Sequence, residues 1–371
     1  MSKIFSSIAC NLDVDLLASA LPLFHGEHIE AIEWSFDTLF KVRNIPSWFG
    51  ELLEEFSKAN RLIGHGVFFS MFSGRWAEEQ DRWLAHLKKV STYYNFEHIS
   101  EHFGFMTGEN FHSGAPISIP CTSKTLEIGQ DRLKRIFEAC ACPVGLENLA
   151  FAYSLDEVKR HGAFLDELLE PVNGFIILDL HNLYCHLHNF NLSFEELIKL
   201  YPIDRVREIH ISGGTWADSK VDPGRQIRRD THDTSVPTKV FDLLEKVIPL
   251  CMNLKFVVLE QIGSALNTKE SQTQFGIDFL KMKSLTEKYN AFSEANNVFY
   301  PPSEFDLGSP VQDEELYLQQ HQLSTILENA EGIEDAKNQL SHSALANSAW
   351  DVENWDPAML ETVIAIARKW K

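Results

Sequence analysis

Between Arg205 and Pro237 the chain reads RVREIHISGGTWADSKVDPGRQIRRDTHDTSVP. A short apolar run ends in His210, passes a Gly213-Gly214 turn and returns to Asp230-Thr231-His232-Asp233, so imidazole and carboxylate stand at both ends of one long loop. These are the donor types shared by iron, manganese and zinc sites. Residues of the same kind close other short apolar runs: His65 in LIGHGVFFS, Glu101-His102 in HISEHFGF, Glu147-Asn148 in VGLENLAF, Asp179 with His181 and Asn182 in ILDLHN, and Glu260 in FVVLEQIG.

A lone histidine or glutamate at a strand end is ordinarily a hydrogen-bonded structural residue. Six successive strand-like runs that each end in one are different, because burying so many ionisable groups in one place without a partner is too unfavourable. Metal ions are the simplest partner. At least four carboxylates and four imidazoles exceed what one ion of about four to six ligands can take, which implies two or three ions bridged by carboxylate. No cysteine lies among these residues, which disfavours structural zinc and iron-sulfur chemistry. The remaining histidines, His98 and His161 among them, read as surface or core residues, whereas His186 and His188 in YCHLHNF lie close enough in sequence to line the rim of such a site.

The elements that must position these groups follow from the hydrophobic pattern. Strand-like runs fall at about 3–11, 28–36, 62–69, 96–105, 143–151, 174–184, 206–213 and 254–262, with helical patterns at about 76–94, 123–141, 154–169, 193–201 and 238–250. Ser154 with Glu157, and Ser193 with Glu196, have the spacing of capping boxes. Near-continuous apolar runs such as FIILDL and KFVVLE suit parallel strands covered on both faces. Eight strand-helix repeats predict an α/β fold, a (β/α)8 TIM barrel over residues 1–288, with an acidic, partly helical C-terminal extension over 289–371 whose last helix is at 357–370. A doubly wound open sheet fits less well, since no glycine-rich nucleotide fingerprint follows the first strand. In a TIM barrel the polar strand ends share one face, where active sites are built.

Composition narrows the partners. With 371 residues, 44% of them hydrophobic, the chain can bury a full core. A net charge of -20 argues against nucleic acid and anionic membrane surfaces, which are themselves negative. No signal peptide and no run near ~20 apolar residues is visible, so a cytoplasmic location is expected. The six cysteines form no disulfide framework and are expected to be reduced, with Cys140 and Cys142 as small buried residues.

The stretches HGVFFS, ISEHFGF, GLENLA, LDLHNLY, EIHISGG, DTHDTSVP and VVLEQ, in this order over about residues 28–285, resemble the multinuclear non-haem iron-dependent oxidases typified by the methanobactin-biosynthesis oxidase. The resemblance implies a TIM barrel holding two or three irons in mixed ferrous and ferric states. It implies dioxygen as co-substrate and oxidation of a ribosomally made precursor peptide, with a separate partner protein that binds the peptide's leader. Carried over position by position, it implies iron ligands at His65, His102, Glu147, Asp179, His210, Asp230, His232 and Glu260. Where some members have a histidine ligand, this chain has Asn182 with His181 beside it, and Gln261-Ile262 stands where a charged pair is common.

Arg225, Arg228 and Arg229 form a basic patch on the His210–His232 loop and are candidates to clamp a substrate carboxylate. Two other functions use related parts. A divalent-metal TIM-barrel sugar isomerase or epimerase, or an endonuclease-like hydrolase, would need manganese or zinc and no oxygen; a silent barrel that sequesters a peptide would have no use for intact ligands on six strands.

Overall fold

The computed structural model describes residues 3–39, 45–107, 114–290 and 299–369. Eight parallel strands close into a barrel: β1 (Phe5–Ala9), β2 (Ala31–Trp34), β3 (Leu62–Gly66), β4 (Ile99–His102), β7 (Val144–Glu147), β8 (Phe175–Asp179), β9 (Val206–Ile211) and β12 (Phe256–Leu259). Each pairs with its neighbour in the sequence, and β12 returns to β1. Two short antiparallel pairs ride on the loops, β5 (Phe105–Met106) with β6 (Pro116–Ile117) and β10 (Trp216–Asp218) with β11 (Gln226–Arg228). The outer ring comprises α1 (Val14–His25), α2 (Ser47–Lys58), α3 (Glu78–Tyr93), α4 (Ser123–Cys140), α5 (Leu155–Leu169), α6 (Leu180–Asn189), α7 (Phe194–Leu197), α8 (Thr238–Val247) and α9 (Lys269–Tyr289).

Because side chains alternate along a strand, each barrel strand shows every second residue to the interior. Toward the strand starts these are apolar: Ala31, Ile63, Phe256 and Val258 form one small cluster, and Phe175 and Ile177 pack with Phe299 in another. Two residues further along the same strands stand Glu33, His65, Asp179 and Glu260. The interior is thus largely apolar below, apart from the buried pair of His98 and Glu208, and ionisable above.

The sixth barrel strand is shorter than its apolar run suggests. The strand stops at Asp179, and Leu180 opens α6 at once, with the Asp179 side chain capping it by accepting from the Asn182 N–H at 2.5 Å. Beyond Asp179 the apolar residues Leu180, Leu183 and Leu187 follow the helical period and are buried, so one run contains both an element and its successor. The box at Ser193 is reciprocal, Ser193 N donating to Glu196 Oε2 at 2.9 Å and Glu196 N to Ser193 Oγ at 3.3 Å. At Ser154 only the hydroxyl caps, while the Glu157 carboxylate accepts from Tyr153 N at 2.6 Å instead.

The C-terminal segment climbs the barrel wall. Phe299 plugs the strand starts against Phe175, Tyr300 and Phe305 meet Phe137 near the end of α4, and Gly308 O and Val311 O accept from Arg135 and Arg132 at 2.8 Å each, nearer its start. Helices α10 (Glu314–Asn329), α11 (Ile333–Ser341) and α12 (Pro357–Lys369) then settle on the loops that follow the strands, and their Leu316, Leu323 and Val363 join the barrel's own hydrophobic core. Trp370, at the end of the expected last helix, lies outside the described residues. All six cysteines are free, and Cys140 and Cys142 are buried. Among the described residues no helix is long and apolar enough to cross a membrane.

Candidate metal centre

Barrel closure brings the strand-end groups together. His65 on β3, His102 on β4 and Glu147 on β7 converge, both imidazole Nε2 atoms standing 3.4 Å from Glu147 Oε2. The strand register places His102 beside Glu147 and Asp179 beside His210. His210 Nδ1 lies 3.3 Å from Glu260 Oε2, and His232 Nδ1 lies 3.7 Å from the same oxygen. Among the described residues four triads offer ligand atoms within 4.8 Å of one another: His65–His102–Glu147, Glu147–Asp179–His210, Asp179–His232–Glu260 and Glu33–His210–Glu260. Glu147, His210, Asp179 and Glu260 each belong to two of them, so the triads form one continuous cluster.

The hydrogen bonds behind the cluster set which nitrogen faces it. Ser100 Oγ donates to Gly64 O at 3.3 Å and therefore accepts from His65 Nδ1 at 2.9 Å, while His102 Nδ1 donates to Gly66 O at 3.1 Å. Both rings thereby turn an unprotonated Nε2 toward Glu147, the arrangement in which a metal-binding histidine is held by its second nitrogen. Asn182 Nδ2 donates to Glu147 Oε1 at 3.1 Å and Asn148 O at 2.8 Å, which fixes the amide and leaves its oxygen buried without a hydrogen bond. Asn148 in turn holds the end of β8, its Oδ1 accepting from Asp179 N at 2.7 Å. His232 adopts a left-handed backbone, φ 53°, and its carbonyl accepts from Ile262 N at 2.9 Å, which pins the loop after β9 to the loop after β12.

Several buried polar atoms here have no hydrogen-bond partner: Asp179 Oδ2, Asn182 Oδ1, His210 Nδ1, His232 Nε2 and Glu33 Oε1. His232 Nε2 does approach Asp230 Oδ1 at 3.0 Å, but as an ion-pair contact outside hydrogen-bond alignment. Buried orphans are unfavourable, and here they are all hard oxygen and imidazole donors on one side of the barrel mouth. The donor set suits iron or another first-row divalent ion.

Without a cation the carboxylates share protons unevenly. Burial pushes Asp179 up to about 7 and Glu33 up to about 8, and raises Glu147 well above the carboxyl range, with neighbouring acids adding to each. Burial also opposes the ionisation of Glu260, yet His210 and His232 hold it down at about 2. His210 is correspondingly raised despite burial, by Glu260 and Glu33, while burial and the neighbouring His102 and His210 hold His65 low. Bound cations would replace these protons.

Other residues fall differently. Glu33, at the end of β2, was not among the sequence candidates: its Oε2 is 3.2 Å from His210 Nε2. Glu208 lies one interior step below His210, its Oε1 3.3 Å from the same nitrogen and its Oε2 2.6 Å from His98 Nε2. His98 is thus a core histidine, but one that supports the cluster from beneath. The signal for Glu33 was present, a carboxylate closing the run HIEAIEWSF. His181 does not offer a nitrogen to the cluster: Nδ1 meets Asp230 Oδ1 at 2.9 Å and Nε2 accepts from Arg228 Nε at 2.9 Å. The arginine patch is not a free clamp. Arg225 is held by Asp356 and by Asn189 O, Arg228 is buried on His181, and Arg229 is only partly exposed. His188 packs on Trp216 at the rim, and His186 is buried near Phe190.

The sequence model of the RiPP precursor modification enzymes MbnB/TglH/ChrH matches residues 41–270. The UPF0276 protein of Shewanella loihica (strain ATCC BAA-1088 / PV-4) is 24% identical over 196 residues, which cover 53% of this chain and 67% of that protein. The UPF0276 protein of Caulobacter vibrioides (strain NA1000 / CB15N) is 26% identical over 183 residues, 49% of this chain and 62% of that one. The matches therefore span about two thirds of these relatives' length. Among solved structures, endonuclease IV from Thermus thermophilus aligns with a TM-score of 0.46 and 13% identity, over 76% of this chain and 99% of that one. An L-ribulose 3-epimerase aligns with a TM-score of 0.46 and 12% identity, over 80% and 100%. Likenesses of that size carry no argument about activity.

Proposed function

Since the chain belongs to the RiPP precursor modification enzymes MbnB/TglH/ChrH, we propose that it is an iron- and dioxygen-dependent oxidase of a ribosomally made precursor peptide, which a separate leader-binding protein delivers. The observation that supports a metal ion in this reading is the convergence of buried carboxylate and imidazole donors at the barrel mouth, several of their atoms without a hydrogen bond and no thiolate among them, while iron in particular follows from the family.

In this reading His65, His102 and Glu147 would hold one iron, and Asp179, Asp230, His232 and Glu260 would hold another. Glu147 and His210 stand between the two groups, and the free Asn182 Oδ1 is available to a third. Iron, when bound, would relay to dioxygen the electrons lost by the peptide, so that the peptide is the reductant and dioxygen the oxidant. The chain's own residues supply positioning. Ser100 and the Gly66 carbonyl fix the His65 and His102 tautomers, and Glu33 and Glu208 accept from His210 Nε2 so that Nδ1 faces the cluster. The rigid strand ends hold the donors at fixed separations, and no side chain is required as a nucleophile.

Elemental analysis and Mössbauer spectroscopy of anaerobically prepared protein test the reading, together with dioxygen uptake on adding precursor peptides encoded beside the gene. About two to three irons per chain and peptide-dependent uptake are expected. Full activity with zinc or manganese alone, or turnover of a sugar or nucleic acid with no peptide present, would replace it with the isomerase or endonuclease-like alternative.

A further inference from the structure

The helices beyond the family match sit on the face that carries the cluster. Gly74, in the loop after β3, donates to Gln320 Oε1 at 2.9 Å and accepts from Asp313 N at 2.7 Å. Tyr153, after β7, stacks on Trp355 at 3.8 Å. The loop after β9 is held most closely: Glu361 accepts from Ser219 Oγ at 2.9 Å and from Lys220 N at 3.0 Å, and Asp356 pairs with Arg225 at 2.9 Å.

That last loop carries the β10–β11 hairpin, with three residues per strand and Trp216 opposite Arg228. A ribbon so short has little stability of its own. Its inner end is held by Asn189 of α6, which accepts from Arg228 N at 2.8 Å and donates to Arg228 O at 3.0 Å. The Arg228 guanidinium lies over the Tyr184 and Trp216 rings, 5.5 and 5.0 Å from their centroids. Its Nε meets His181 Nε2 at 2.9 Å. A guanidinium nitrogen only donates, so His181 Nε2 accepts, and the ring proton sits on Nδ1 and is given to Asp230 Oδ1. Gly214 leaves room for this ring, since a Cβ there would lie 2.7 Å from His181 Cε1.

We propose that the C-terminal extension is a working part of the metal centre: Glu361 and Asp356 brace the hairpin so that Arg228 holds His181, and His181 holds Asp230 in the orientation in which it binds a metal ion. Arg228, Glu361 and Asp356 are then positioning residues for the Asp230 side of the cluster and leave the His65–His102–Glu147 side untouched. The proposal rests on the reading of Asp230 as a metal ligand. Asp356 also caps α12, accepting from Ala358 N at 2.8 Å, so Glu361 is the cleaner residue to change.

The test uses the full chain and Co(II) alone, titrated anaerobically by absorption spectroscopy, with amide hydrogen exchange of residues 216–228 on the metal-free protein. Wild type is expected to bind at least two equivalents. Arg228→Gln should weaken one equivalent by roughly 10- to 100-fold, the usual effect of losing a group that orients a ligand, and leave another unchanged; Arg228→Lys, which keeps a donor, should recover part of the loss. Glu361→Ala should speed exchange in the hairpin and weaken the same equivalent by a smaller factor. Wild-type affinities for every equivalent in Arg228→Gln would overturn the role of Arg228. Faster hairpin exchange with unchanged affinity in Glu361→Ala would reduce the extension to a brace without influence on the metals, and unchanged exchange would overturn the bracing itself. If wild type itself takes up no Co(II), the metal reading falls, and the proposal with it.

Discussion

Replacing Glu147 by Gln separates metal binding from folding. Glu147 Oε2 faces the Nε2 atoms of His65 and His102 at 3.4 Å, and Oε1 accepts from Asn182 Nδ2 at 3.1 Å. A glutamine of the same shape keeps both relations without metal, its carbonyl accepting from Asn182 and its amide donating to an imidazole whose own proton is committed to Ser100 or Gly66. Burial already opposes ionisation of Glu147, so the metal-free variant should unfold at or above the wild-type temperature. With metal the balance reverses, because an anionic donor shared by two ligand groups becomes neutral. Groups that only orient ligands are worth 10- to 100-fold in affinity. A direct ligand should reach at least the top of that range, about 100-fold or ~2.7 kcal/mol. The assay is iron per chain under a competing chelator, peptide modification by mass spectrometry, and thermal unfolding with and without iron. Wild-type iron content and turnover in Glu147→Gln would show that Glu147 is not the shared ligand. A fall of more than about 5 °C in the metal-free melting temperature, equivalent to about 4 kcal/mol in a chain of this size, would show that the carboxylate is structural.

Three further outcomes follow from the same geometry. Because the folded metal-free protein keeps protons on Asp179, Glu33 and Glu147 that an unfolded chain has lost above about pH 4.5, the contribution of these three carboxyls to stability should fall as pH rises toward 7, while buried neutral imidazoles such as His65 and His102 contribute with the opposite sign. The stability from Glu260, whose carboxyl is held low, is lost only below that window. Metal affinity should rise over the same interval as these protons are displaced; melting metal-free wild type and Glu147→Gln at pH 5.5 and 7.5 isolates the carboxyl contribution, since the variant has no proton to lose there and should gain on wild type at 7.5, and a variant that loses ground at 7.5 would contradict the first sign. Glu33→Gln keeps an acceptor for His210 Nε2 but removes a charge, and should lower the affinity of one metal equivalent by roughly tenfold or more while leaving the fold intact, read by Co(II) titration. Gly74→Ala places a Cβ 2.5 Å from Tyr317 N and 2.6 Å from Asp313 O, so the first turn of α10 must shift; a loss of about 1–3 kcal/mol in denaturant unfolding and faster exchange at residues 313–320 are expected.

The sequence by itself determined the barrel and most of the cluster. Strand patterning is local, so eight apolar runs that alternate with amphipathic ones name the elements, and the rule that strand ends share a face turns His65, His102, Glu147, Asp179, His210 and Glu260 into neighbours without coordinates. His232, on the loop after β9, joins the triad with Asp179 and Glu260, whereas Asp230 is in none of the triads and stands behind it, against His181 and His232. The tertiary structure decided what local pattern leaves open. Asp179 ends a strand and caps a helix inside one apolar run, and only the hydrogen bond to Asn182 N marks the change of period. Glu33 and Glu208 look like isolated strand carboxylates until closure sets one beside His210 and the other beneath it. Arg225 reads as a free cation because its partner, Asp356, lies 131 positions away, capping a helix whose docking no periodicity predicts. The same holds for His181, whose neighbours in sequence suggest a ligand, while a guanidinium on one side and a carboxylate on the other make it a support. Residue types specify which chemistry is available; which nitrogen carries the proton, and which charge is already paired, depend on through-space contacts that exist only once the barrel has closed.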